Sequence, residues 1–153
     1  MDIQKMQVGK LLIQAIVYGE YEFAQRLIRE NDIDPNAPLD HGHTPMMAAV
    51  SVDDPRFLHM LLPLWKSGEG GTGRDINQRD DRGSTALMYA AEEGKAWAVR
   101  TLLQHGADPN IRDYYGDSPL RVCLQGARPS ARVVGMLLQY GALINSEKHT
   151  LSF

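Results

Sequence analysis

Cysteine is almost absent from this chain, since Cys123 is the single one among 153 residues. One cysteine cannot form an intrachain disulfide, so no disulfide framework stabilises the fold. Cys123 also falls at the position that Ala90, a small residue, takes in an earlier and similar stretch. The thiol is therefore predicted to be buried and inert.

Long apolar runs and charge of one sign are missing as well. No run of about 18 apolar residues is present, which argues against a membrane-spanning helix. The N-terminal MDIQKMQVGK has neither the hydrophobic core nor the small-residue cleavage site of a secretory signal. The net charge is −3 and the charges are mixed along the chain, so no polybasic surface for nucleic acid or membrane is expected. These absences predict a soluble, cytoplasmic protein that binds neither.

What the chain does contain is repetition, and residues 77–110 form its clearest unit, NQRDDRGSTALMYAAEEGKAWAVRTLLQHGADPN. Gly83 predicts a tight turn, and Thr85 is the expected N-cap of a short helix that ends at Gly94. A second helix, with apolar residues at helical spacing, ends at Gly106. Two short helices cannot bury their apolar faces alone, so the unit requires stacked neighbours.

Similar openings and closings recur along the chain. The openings are HGHTPMMAAV, RGSTALMYAA and YGDSPLRVCL, and the closings are DIDPN, DIN, GADPN and GALIN. Thr44 and Thr85 are 41 residues apart, and Thr85 and Ser118 are 33 apart. In these features the chain resembles the ankyrin repeat family, whose unit has a period of 33 residues and a T-P-L-H-x-A signature. The signature histidine is replaced here by Met47, Met88 and Arg121.

The resemblance implies an all-α ankyrin-repeat solenoid of about four helix-turn-helix units with short turn or hairpin fingers. With 43% apolar residues, the chain is expected to form a single domain over residues 1–153. Residues 1 to 7 are predicted to be a polar lead-in, and Lys10 to begin the first helix. The predicted units are about residues 8–35, 36–76 with an inserted loop at 66–75, 77–109 and 110–145, followed by a tail at 146–153.

The inserted loop is glycine-rich and 8 residues longer than the third unit provides. Gly68, Gly70 and Gly73 match G-x-G-x-x-G, but a dinucleotide site needs a strand before this motif and a helix after it. Here a helix is predicted before the motif and a turn after it. We therefore predict a surface loop, with contact to a partner as the alternative.

No arrangement of catalytic or metal-binding residues stands out. His41 and His43 form an H-x-H pair, but no cysteine is near and the neighbouring carboxylates belong to different elements. Glu92 and Glu93 are adjacent on a predicted helix, so their side chains point in different directions. We predict a protein that is not an enzyme and that has no cofactor, no metal site and no catalytic residue.

In proteins similar to this one, partners lie across the finger tips and the inner helices on the concave face. Tyr114 and Tyr115 stand out, because a turn tip needs no aromatic residue for stability and tyrosine offers a large contact area. Packing of one of them on the neighbouring finger is the alternative. Carried over by register, the candidate partner-binding residues are Tyr18, Asp40, His41, His43, Ser51, Asp81, Arg82, Ser84, Glu92, Glu93, Tyr114, Tyr115, Asp117 and Gln125.

The function predicted from this pattern is that of a protein–protein interaction module, monomeric, with a partner richer than average in Lys and Arg. One alternative is a small inhibitor or toxin-neutralising, immunity-type protein that blocks the active site of another protein. A second, from a different class, is a nucleotide-dependent enzyme that uses the glycine-rich loop. A third is an assembly adaptor that self-associates through an apolar end of the array.

Overall fold

The structure is a computed structural model, and it describes residues 3–33, 39–65 and 75–144. Every regular element in these ranges is helical, which confirms the all-α class. Two 3₁₀ turns, Asp40–Gly42 and Leu62–Trp65, accompany the α-helices. The α-helices are Ile3–Val17 (α1), Tyr21–Glu30 (α2), Pro45–Ser51 (α3), Pro55–Leu61 (α4), Ala86–Glu92 (α5), Ala96–Gln104 (α6), Pro119–Gln125 (α7) and Ala131–Gln139 (α8).

The helices form two layers of a solenoid. The inner layer consists of α1, α3, α5 and α7, each in contact with the next, and the outer layer consists of α2, α4, α6 and α8 in the same order. Each inner helix also packs on the outer helix that follows it in the chain. Across the described ranges, no helix is both long enough and apolar enough to cross a membrane.

Capping side chains set the start of each later helix pair. The hydroxyls of Thr44, Thr85 and Ser118 each accept a hydrogen bond from the backbone N–H three residues ahead, at 3.2 to 3.3 Å. Ser130 does the same at the start of α8, at 3.3 Å. These bonds satisfy donors that a helix start leaves unpaired. The N-cap predicted at Thr85 is confirmed.

A continuous apolar core runs between the two layers. Leu12, Phe57, Leu102 and Leu137, from four successive helix pairs, are fully buried in it. Cys123 is buried in the same core, as predicted. Because the units share one core, each helix pair is stabilised by burial against its neighbours.

One element differs from its prediction, and one predicted loop lies outside the described residues. Helix α1 begins at Ile3, so the predicted polar lead-in is wrong from that residue onward. No proline interrupts this stretch, and Gly9 is buried where a Cβ would lie 3.3 Å from the Leu39 side chain. Helix α4 ends at Leu61, and the 3₁₀ turn that follows it contains Pro63. The glycine-rich loop predicted at 66–75 lies outside the described residues except for Asp75.

Candidate protein-binding surface

Three five-residue turns, which we call fingers, precede α3, α5 and α7 and span residues 39–43, 80–84 and 113–117. In each finger the first N–H donates to the last carbonyl, at 2.9 to 3.0 Å. The repeated pattern follows from the tight turn that each glycine permits, as at Gly83, where φ is 76°. The fingers therefore have the same backbone shape at the same place in each unit.

Backbone hydrogen bonds join each finger to the next. The Asp81 N–H donates to the His41 carbonyl at 3.0 Å, and the Tyr114 N–H donates to the Arg82 carbonyl at 2.9 Å. Both bonds join the second residue of one finger to the third residue of the preceding finger. The finger tips consequently form a connected row, which fixes the spacing of the side chains that they carry.

Aspartate side chains hold two of the fingers in shape. One carboxylate oxygen of Asp80 accepts from the N–H groups of Arg82 and Ser84, both at 2.9 Å. Asp113 makes the equivalent pair of bonds in the next finger, at 3.0 and 2.9 Å. The role of these two aspartates was not predicted from the sequence. Their 33-residue spacing and the tendency of aspartate to accept backbone hydrogen bonds in turns were usable signals.

Tyr89 connects the inner helix α5 to the fingers. Its hydroxyl donates a short hydrogen bond to the Asp80 carboxylate, and its ring meets the His43 ring edge-on, with centroids 5.9 Å apart. Burial and this bond raise the pKa of Tyr89, and burial lowers the pKa of His43 although the Asp80 charge opposes that shift. Both shifts favour the neutral side chains. The hydrogen bond and the ring contact pack the fingers against the helix.

The C-terminal ends of the inner helices border the fingers. Glu92 lies three residues after Tyr89, on the same side of α5, and its charge contributes to the raised pKa of Tyr89. Ser51 and Gln125 take the position of Glu92 in α3 and α7, and all three are exposed. The predicted inner-helix residues thus lie beside the row of fingers.

Lys95, which the sequence reasoning missed, anchors the acidic part of this surface. Its side chain is only 13% exposed, and its Nζ lies 3.0 Å from a Glu93 oxygen and 3.1 Å from an Asp53 oxygen. It also donates to the Ser51 carbonyl. A lysine at a helix start gives no sequence signal for such a role.

An open cavity of about 570 Å³ lies beside Lys95. It is lined by Ser51, Asp53, Glu92, Glu93, Lys95, Ala127 and Arg128.

The two adjacent tyrosines at the last finger have different surroundings. The Arg79 guanidinium lies 5.2 Å from the centroid of the Tyr114 ring, and a Cβ added at Gly83 would come within 2.9 Å of that ring. Tyr114 therefore packs on the neighbouring finger, which is the alternative stated for one of the pair. Both rings are nevertheless largely in solvent, Tyr114 at 70% exposed and Tyr115 at 78%.

The remaining predicted residues lie on the fingers or at the end of α1. His41 is exposed, and its ring is 3.8 Å from Asp81. Asp40 is 3.5 Å from Lys10, and Asp117 is 2.8 Å from Arg121. Tyr18 is exposed just past the end of α1. The predicted residues thus lie on the fingers and at the C-terminal ends of the inner helices, and binding by them stays a prediction. Among the described residues, no group of three or more His, Cys, Asp or Glu side chains is placed to hold a metal ion.

Known proteins share this pattern of repeats. A family model described as ankyrin repeats, in three copies, matches residues 54–148. The human Ankyrin repeat domain-containing protein 63 is 34% identical over 122 residues, which is 77% of this chain and 28% of the human protein. The mouse protein of the same name is equally similar, and a putative ankyrin repeat protein of fowlpox virus, FPV018, is 32% identical over 99 residues, 64% of this chain and 13% of its own length. The chain thus spans about a quarter of the length of its mammalian relatives, and it belongs to the ankyrin repeat family.

Proposed function

We propose that this chain is a non-enzymatic protein-binding module that holds its partner across the fingers and the C-terminal ends of the inner helices. Tyr115 is the observation that carries the proposal. An aromatic ring left largely in solvent costs solubility, and the Tyr115 ring contributes nothing to the core. Aromatic residues in such positions are typical anchors of protein interfaces.

The rigidity of the surface supports the same function. Hydrogen bonds between neighbouring fingers, and within them to Asp80 and Asp113, fix the tips before any partner arrives. A pre-formed surface loses little conformational entropy on binding. Four stacked units offer room for a standard contact of about 800 Å² on each partner.

The charges on this surface favour a partner that is rich in Lys and Arg. Asp40, Asp81 and Glu92 are exposed along the fingers and helix ends. A lysine already lies beside two of the acidic groups, Lys95 beside Glu93 and Lys10 beside Asp40, so Asp81 and Glu92 carry most of this argument. Exposed acidic groups attract a basic partner and speed its association, and salt weakens that effect.

The chemistry of the most perturbed side chains agrees with binding rather than catalysis. A catalytic tyrosine or histidine needs a pKa near the working pH. The pKa of Tyr89 is raised by its burial, away from that range, and the His43 ring lies against Tyr89 in the packed cluster. The nucleotide-dependent enzyme is tested separately by adding ATP or NAD and following the melting temperature. We expect no change, since a ligand that binds only the folded state would raise it.

Capture from a lysate with matched variants tests the binding proposal. The immobilised chain is compared with the double variant Tyr114→Ala/Tyr115→Ala and with Arg100→Ala, which removes an exposed side chain from the outer helix α6. We expect at least one protein to be retained by the original chain and by Arg100→Ala but lost with the double variant.

The captured protein is then purified, and its affinity for each variant is measured by calorimetry. A loss of about tenfold or more in the double variant is the expected result. Equal retention of every captured protein by the double variant, with its circular dichroism unchanged, would refute the assigned surface. The identity of the partner also separates a scaffold from an inhibitor of an active site. The cytoplasmic location predicted from the sequence remains a prediction.

A further inference from the structure

One apolar position recurs in every inner helix of the array. Ile16, Val50 and Ala91 occupy this position in α1, α3 and α5, and all three have an exposed fraction of 0%. Each of these helices packs on the inner helix that follows. Leu124 takes the same position in α7 and is 57% exposed. The last unit therefore ends in a surface that the earlier units bury.

The outer helices and the fingers show the same change. Leu103 in α6 is 3% exposed, whereas Leu138, its equivalent in α8, is 39% exposed. Tyr114 covers Gly83 of the preceding finger, whereas nothing among the described residues lies within 4 Å of a Cβ built at Gly116. Leu143 and Ile144, where the third unit has Asp108 and Pro109, are exposed too. We call Leu124, Leu138, Leu143 and Ile144 the C-terminal end face.

The opposite end of the array has a complementary apolar surface. Leu11 and Phe23 are exposed. They take the positions of Ala86 and Ala98 in the third unit, both of which are buried in the core. We call Leu11 and Phe23 the N-terminal end face. Terminal units of repeat proteins need a polar outer surface to remain single molecules, and these apolar residues interrupt that surface at both ends of the described array.

We propose that the C-terminal end face binds the N-terminal end face of a second copy of this chain, so that copies stack head to tail. The two faces are the two halves of a contact that the chain already makes at each of its internal joints. Stacking buries Leu124 and Leu138 under α1 and α2 of the next copy. It continues the solenoid, and the inner helices of both copies then border one longer surface.

The contact is weaker than an internal joint. No finger precedes α1, so the next copy has no equivalent of Tyr114 to cover Gly116 or to donate to the Tyr115 carbonyl. A head-to-tail contact also leaves one face open at each end, so assembly extends with concentration instead of stopping at a dimer. This outcome departs from the monomer predicted from the sequence.

Sedimentation velocity of the full chain over a wide concentration series tests the proposal. We expect the average mass to rise continuously with concentration. Leu124→Glu and Leu143→Glu each place a charge on the C-terminal end face, and each is expected to weaken association by about tenfold or more. Val17→Glu is the matched control, because Val17 is also 57% exposed and apolar but lies at the helix end beside the fingers. It should associate like the original chain.

Mixing two blocked variants separates head-to-tail stacking from other contacts. Leu124→Glu retains an intact N-terminal end face, and Leu11→Glu retains an intact C-terminal end face. Each variant alone should stay monomeric, while an equimolar mixture should form a dimer that cannot extend. Circular dichroism establishes first that both variants are folded.

Two results would overturn the proposal. If Leu11→Glu alone associates and Leu124→Glu does not, the C-terminal end faces pair with each other instead. If the original chain is monomeric at every concentration, something else covers this face, and residues 145–153, which directly follow Ile144, become the first to delete. Unchanged association in Leu124→Glu and Leu143→Glu also contradicts the stack.

Discussion

The third and fourth units follow the same plan with different neighbours. Their inner helices begin at Thr85 and Ser118 with the same type of cap, and both of their fingers contain an aspartate that accepts two backbone hydrogen bonds. Yet Leu103 is buried and its equivalent Leu138 is partly exposed. The position of a unit in the array, and not its sequence, decides how much each equivalent side chain contributes to stability.

The same pair of units separates architecture from recognition. In the third unit, the ring of Tyr114 lies against Gly83 of the finger. The inner helix α5 is joined to the same finger by the hydrogen bond from Tyr89 to Asp80. In the fourth unit, Tyr115 and Leu124 are exposed. Side chains of the third unit mainly hold the stack together, whereas those of the fourth unit are available to other molecules.

The largest effect is expected from truncating the equivalent leucines. Leu103→Ala should lower the free energy of unfolding by about 3 kcal/mol, because it leaves a cavity in a closed joint. Leu138→Ala should lower it by only about 1 kcal/mol, since the side chain is already partly in water. Urea denaturation at low protein concentration measures both. Equal losses would show that the last unit is covered in solution.

The finger aspartates provide the second test. Asp80→Ala leaves two backbone N–H groups and the Tyr89 hydroxyl without their acceptor, and should cost about 2–3 kcal/mol. Asp113→Ala removes two bonds from a more exposed finger and should cost about 1–2 kcal/mol. The same denaturation experiment compares them. A larger loss at Asp113 would contradict the importance of the Tyr89 contact.

The two tyrosines should respond in opposite ways. Tyr114→Ala removes the ring that covers Gly83 and stacks under Arg79, and should cost about 1 kcal/mol of stability. Tyr115→Ala should change stability by less than about 0.5 kcal/mol, as for other exposed positions. Thermal unfolding measures this difference. In binding assays with the captured partner, Tyr115→Ala should have the larger effect.

The smallest effect concerns pH and the second unit, where His43 takes the position of Ser84. Burial lowers the pKa of His43 below 6.5, so folding favours its neutral form. The stability from this residue is complete above pH 6.5 and is lost as pH falls through the lower pKa of the folded state. His43→Gln should therefore flatten the acid limb of the stability curve. His41→Gln, at the exposed neighbour, should leave it unchanged.

Local chemistry explains why most of the fold was predictable. Thr44, Thr85 and Ser118 are caps whose partners lie three residues away, and Gly94 follows the end of α5 with φ of 68°. Such features depend on neighbours in the chain, so the pattern alone identifies them. The start of α1 was predicted too late, because a mixed polar helix such as residues 3–9 has no clear apolar period.

Contacts between units were harder to predict. The sequence order does not show that Lys95 would reach Asp53 and Ser51, which lie more than forty positions earlier in a different unit. Nor does it distinguish Tyr114 from Tyr115, which are chemically identical neighbours with different surroundings. Residue type can nominate a binding surface, but the packing of units decides which of its members also contact a neighbouring finger.

The hydrogen bonds between fingers have one further consequence. His41 and Asp81 are 40 residues apart and Arg82 and Tyr114 are 32 apart, yet each pair is joined by nearly the same bond, of 3.0 and 2.9 Å. The pitch of the array is thus independent of the length of chain that connects successive turns. Evolution, or a protein engineer, can lengthen the segment after an outer helix, as at 66–74, without changing the geometry of the neighbouring units.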